Sequence, residues 1–124
     1  MILRYERERG YTGEGKDPSL TLGKQYFALG ITFRVDNENL VSIQRESDGT
    51  PCLFRLCHFS IVDASIPKEW IIKSNNNGDY TIEPIEFNGN FWDLYHDADQ
   101  KAEEVFLQVI EKIKQSHIEK PINF

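Results

Sequence analysis

Phe91-Trp92-Asp93-Leu94-Tyr95-His96-Asp97-Ala98-Asp99, continued by QKAEEVFLQVIEKIKQSH over residues 100–117, is the stretch that decides the fold. Ala102, Val105, Phe106, Val109, Ile110 and Ile113 recur at i, i+3, i+4, i+7, i+8 and i+11, the apolar stripe of a helix lying on a core. Asp97 or Asp99 is placed to cap that helix, with acidic Asp99, Glu103 and Glu104 at its start and Lys112, Lys114 and His117 near its end, as the helix dipole favours. The spacing predicts a helix over about 98–117. Before it, Phe91–Tyr95 reads as one aromatic helical turn over 91–95 with Asn90 as cap, and after it Pro121 leaves 118–124 as a tail.

Upstream the period changes from that of a helix to that of strands. From Lys24 to Val35 the apolar residues Phe27, Leu29, Ile31, Phe33 and Val35 alternate with Ala28, Gly30, Thr32 and Arg34, as in one half-buried strand. Gly30 inside it signals a bulge, a bend or the close approach of another element. Leu40–Arg45, Cys52–Leu56, Phe59–Val62, Trp70–Ile72 and Tyr80–Ile85 extend the β pattern, after a short first strand at Ile2–Glu6 and a loop over Gly10–Pro18. Asp48-Gly49 and Asn77-Gly78 accept the positive φ of tight connections. The expected fold is therefore α+β: a single domain over 1–124, with an antiparallel, partly curled sheet of five to seven short strands within about 2–85 and one long C-terminal helix packed on it.

The chain has 124 residues, of which 40% are apolar and 12% aromatic, and a net charge of −6. That excludes a broad electrostatic grip on nucleic acid. There is no apolar run long enough to span a bilayer and no apolar signal-peptide core at the N-terminus, so a cytoplasmic protein without membrane contact is expected. Cys52 and Cys57 are too few for a disulfide framework, and an odd offset on one strand would put them on opposite faces. With His58 they could be offered as a metal cluster, but no fourth ligand lies at a useful spacing, so no metal and no cofactor are expected.

Phosphate-binding glycine loops, metalloprotease helices and nucleophile elbows are all missing, so no catalytic residue is expected. Tyr95-His96-Asp97-Ala98-Asp99 gathers an imidazole, a phenol and two carboxylates, which leaves open an alternative in which His96 with Asp97 or Asp99 serves a small ligand or a reaction. Charge is distributed very unevenly. Residues 79–104 hold eight carboxylates against Lys101 alone, a local charge of −7, so the rest of the chain sums to +1. Such a block steers a basic partner, or is simply a solvated helix start.

Three runs carry a family resemblance: Asp17-Pro18-Ser19-Leu20-Thr21-Leu22-Gly23-Lys24-Gln25-Tyr26, Phe59-Ser60-Ile61-Val62-Asp63-Ala64-Ser65-Ile66-Pro67-Lys68-Glu69-Trp70, and Phe91–Asp97 with its following helix. Their layout resembles the small acidic bacterial immunity proteins of polymorphic-toxin and contact-dependent growth inhibition systems, which neutralise toxin domains. The resemblance implies a role and no catalytic residue. It implies a basic toxin domain, of the nuclease kind, as partner. The expected contacts are Asp93, Asp97, Asp99, Glu103 and Glu104, with Trp92 and Tyr95 as anchors. A small protein-binding domain of another role would use the same face.

Overall fold

The computed structural model describes residues 1–6 and 20–118. The loop expected over Gly10–Pro18, the Asp17–Ser19 part of the first resemblance run and the tail beyond residue 118 lie outside the described residues.

Strands β1 (Ile2–Tyr5), β2 (Gln25–Phe27), β3 (Gly30–Phe33), β4 (Leu40–Gln44), β5 (Pro51–Arg55), β6 (Phe59–Asp63), β7 (Trp70–Ser74) and β8 (Tyr80–Pro84) precede helices α1 (Phe91–His96) and α2 (Gln100–Ile118). All pairings are antiparallel. The strands divide into a three-stranded sheet of order β2-β1-β6 and a five-stranded sheet of order β5-β4-β3-β8-β7, and neither closes. The α+β class with one long C-terminal helix is thus the observed fold.

One expected element is corrected. The alternation from Lys24 to Val35 is not one strand: it breaks at Ala28-Leu29, where the chain leaves the small sheet and enters the large one. The reason is visible in burial, since Tyr26, Ala28, Leu29, Gly30 and Ile31 are all buried, as befits a chain passing between two layers rather than along one wet surface. Ala28 N–H donates to Met1 O at 3.0 Å and Leu29 N–H to Ser42 O at 2.8 Å, so each sheet takes one of the two residues. Cys57 likewise lies in a 3-10 turn, Leu56–His58, and not on the strand that holds Cys52, and no disulfide joins the two.

The two sheets enclose Met1, Leu3, Tyr5, Ala28, Ile31, Val41 and Ile43, all buried. Register explains the larger sheet's inner row: Phe54 faces Val41, Val41 faces Ile31, and Ile31 faces Ile82. Glu46, just past β4, ties the Leu20–Tyr26 segment to that sheet. Its carboxylate accepts from the Thr21 hydroxyl at 2.6 Å, from the Tyr26 phenol, and from Lys24 at 3.2 Å. Those donors, Thr21 first, pull its pKa down to about 2.

The second core belongs to α2. Ala102, Phe106, Val109, Ile110 and Ile113 are buried against Leu29, Trp70, Phe87 and Phe91, while Leu107, off the stripe, is 62% exposed. Asp99 is the cap: its Oδ2 accepts from Ala102 N–H at 3.0 Å. Asn90, expected to cap α1, contributes only its backbone carbonyl, which accepts from Leu94 N–H at 3.1 Å.

The α1–α2 joint carries a strained residue. Asp99 N–H donates to Leu94 O and Ala98 N–H to Tyr95 O, both at 3.0 Å, which is the paired bonding of a Schellman turn. That turn needs a left-handed residue at the position of Ala98, and Ala98 has φ 61°. A Cβ there costs roughly 1–2 kcal/mol where glycine costs nothing. Ala98→Gly should therefore stabilise the fold by about 1 kcal/mol. The readout is a higher denaturation midpoint at unchanged slope, and a lower midpoint would refute the strain.

Candidate functional site

The outer face of the five-stranded sheet is a groove. By register, Leu53 sits opposite Ser42 and Ser42 opposite Gly30, while Thr32 faces Thr81 and Thr81 faces Lys73. Gly30, Thr32, Ser42 and Thr81 form a floor of small and hydroxylic side chains. Pro51, Cys52 and Leu53 wall it along β5, Lys73 and Asn75 along β7, and Trp92 and His96 of α1 close one end. Its volume is about 430 Å³, within the range of small-ligand sites.

Gly30 lets Glu83 pack against the floor. A Cβ on Gly30 would stand 3.1 Å from Glu83 Cβ and 3.3 Å from Ile82 O, so the missing side chain is the room that Glu83 occupies. Of the options the sequence left for Gly30, close approach of another element is the observed one. Glu83 is 6% exposed, and its Oε2 accepts from Lys73 Nζ at 2.7 Å. Lys73 and Glu83 are diagonal neighbours on one face of the β7–β8 pair, within reach of long side chains. Oε1 is left with Trp92 Nε1 at 3.5 Å, the long limit of a hydrogen bond. Thr32 and Thr81 hydroxyls meet at 3.3 Å, and Asn75 Nδ2 donates to Thr81 Oγ1 at 3.2 Å.

Trp92 stands between this groove and the α2 core. Its ring centroid lies 4.7 Å from Phe87 and 5.0 Å from Phe91, and the exposed His96 ring stacks on its other side at 6.1 Å and 29°. Tyr95 is half-buried at 5.0 Å from Phe106, away from the groove. Burial raises its phenol pKa, with Glu103 and Asp48 adding to the rise. The aromatic turn is therefore a plug between core and surface, with Trp92 the ring that reaches the groove.

No family model, curated protein or solved structure matches this chain.

The acidic block at 79–104 does not act as one surface. Asp79 accepts from Val35 N–H at 3.1 Å, Glu83 is held by Lys73, and Glu86 accepts from Lys112 at 2.6 Å. The other five, Asp93, Asp97, Asp99, Glu103 and Glu104, are exposed on α1, the joint and the start of α2, and none forms an ion pair with another described residue. They are the five carboxylates named from sequence. None of them lines the groove, so Asp97 and Asp99 do not join His96 there; the groove brings His96 to Trp92, Glu83 and Lys73 instead.

The groove floor is what sequence reasoning passed over. Its signal was present, because Gly30 and Thr32, Thr81 and Glu83, and Ile71 and Lys73 occupy alternate positions on three strands that also carry apolar residues on the other parity. Among the described residues no three His, Cys, Asp or Glu side chains are grouped to hold a metal ion, and no helix is long and apolar enough to cross a membrane.

Proposed function

We propose that this chain is a cytoplasmic immunity protein that binds and neutralises a cognate bacterial toxin domain by forming a stoichiometric complex, acting by occlusion and not by catalysis. The observation that carries this reading is the set of five exposed carboxylates, Asp93, Asp97, Asp99, Glu103 and Glu104, unpaired with any described cation and gathered on the helical corner beside the groove. Paired surface charges are largely satisfied at home. Unpaired ones of a single sign project a field that attracts and orients a basic surface, such as a nuclease cleft, and repels nucleic acid. The resemblance runs Phe59–Trp70 and Phe91–Asp97 support the same role.

Cells producing the toxin domain encoded beside this chain should survive only when this chain is also made, and the two proteins should co-elute one to one. Survival without a complex, or no toxin domain encoded there, would remove the reading.

A small-ligand site is the second reading, and the groove that reaches His96 is the observation favouring it. It would use Trp92, Glu83 and Lys73 with His96. Under that reading a groove-filling substitution would abolish function, while reversing the exposed carboxylates would leave it intact.

A further inference from the structure

The groove and the acidic corner share one helix. Trp92 and His96 of α1 line the groove, while Asp93 of the same helix and Asp97, its C-cap, stay outside it. A partner drawn to the carboxylates therefore arrives beside the groove.

The groove offers a particular set of acceptors. Glu83 is more than nine-tenths buried, and Lys73 takes only its Oε2, as a point charge on one oxygen. A carboxylate has about four lone-pair positions, so Oε1 retains accepting capacity that the Trp92 indole at 3.5 Å barely uses. Around it stand the hydroxyls of Thr32, Ser42 and Thr81 and the rim of the Trp92 ring. An anion finds little here, because the one ammonium in the groove is already committed to Glu83 and the nearby corner is negative. A planar cation with several donors fits better: its flat fork can bond Oε1 and a threonine hydroxyl together. An ammonium matches this less well, being a compact charge that Lys73 already supplies.

We propose that the groove is an anchor site for one arginine side chain of the basic partner, the guanidinium resting against Trp92 and bonding Glu83 Oε1. This rests on the reading of the chain as a binder of a basic protein, and it assigns the residence of the complex to the groove and its encounter to the exposed carboxylates.

The groove can be tested without any toxin. N-acetyl-arginine amide, titrated into the 15N-labelled full chain, should shift the Trp92 indole and the Thr32, Ser42 and Thr81 amides saturably. N-acetyl-citrulline amide, of the same shape without the charge, should bind at least ten-fold more weakly. Ser42→Phe, which fills the groove and leaves the Lys73–Glu83 pair intact, should abolish the shifts, as should Glu83→Gln. Against the toxin domain, Ser42→Phe should raise the dissociation rate roughly 30-fold or more, the lower end of the loss when a desolvated charge pair is broken. No groove shifts, equal binding of citrulline, shifts confined to the Asp93–Glu104 surface, or an unchanged dissociation rate in Ser42→Phe would each overturn the anchor. The carboxylate reading stands or falls separately, on association kinetics.

Discussion

Phe106→Ala should destabilise the protein by about 3–5 kcal/mol, the range for deleting a fully buried phenylalanine ring. Phe106 is 2% exposed and sits among Phe87 at 6.1 Å, Trp92 at 6.3 Å and Tyr95 at 5.0 Å. Two losses add. The ring's apolar surface no longer leaves water on folding, and the vacated space collapses poorly, because its walls are rings held in turn by Phe91 and by one another. Whole-domain stabilities run about 5–15 kcal/mol, so a loss of this size consumes a large part of the total. The measurement is chemical unfolding, with Leu107→Ala as reference. Leu107 is the neighbouring residue at 62% exposure, and its truncation should cost no more than about 0.5 kcal/mol. Equal costs at 106 and 107 would mean that α2 does not lie on the sheet by this stripe.

Those two neighbours also show how much of the fold was legible. The stripe from Ala102 to Ile113 names its own buried face, because a helix repeats every 3.6 residues whatever it packs against. Asp99 as cap and Asn77-Gly78 as a tight turn are legible for the same reason: each depends on a few consecutive residues, and Gly78 indeed has φ 91°. The break at Ala28-Leu29 is not local. Alternation there is as regular as in a single strand, and only the two sheets' competing claims on Ala28 N–H and Leu29 N–H divide it. Ala98 is hidden in the opposite way, since its left-handed φ follows from the Schellman turn and nothing in the residue itself announces it. The candidate site was half legible. Trp92, His96 and the five carboxylates stand out in a continuous stretch, but Gly30 and Glu83 are 53 positions apart and meet only because β3 pairs with β8. A buried glutamate and an exposed one read alike in a charge count, which is how Glu83, Glu86 and Asp79 came to be added to a surface they do not belong to.

Asp99→Lys, Glu103→Lys and Glu104→Lys together should slow association with the cognate toxin domain by roughly 10–100-fold at low salt, within the span that electrostatic steering contributes. The change moves the formal charge from −6 to zero and reverses the corner itself. At 1 M salt the Debye length is about 3 Å, so the variant and the parent should converge there, and the parent's steep salt dependence should flatten in the variant. Dissociation should change little, because exposed charges act mainly on encounter. Asp99 also caps α2 through Ala102 N–H, so a loss of about 1 kcal/mol in stability accompanies the triple variant and must be measured beside the kinetics. Net charge alone could produce part of the slowing. An equal reversal at Asp36, Glu69 and Glu111, exposed acids outside the corner, brings the chain to the same charge while leaving the five carboxylates in place. If position matters, this second variant should retain most of the parent's association rate. Equal slowing in both would reduce the corner to a share of the total charge, and no slowing in a folded first variant would return its carboxylates to the ordinary role of a solvated helix start.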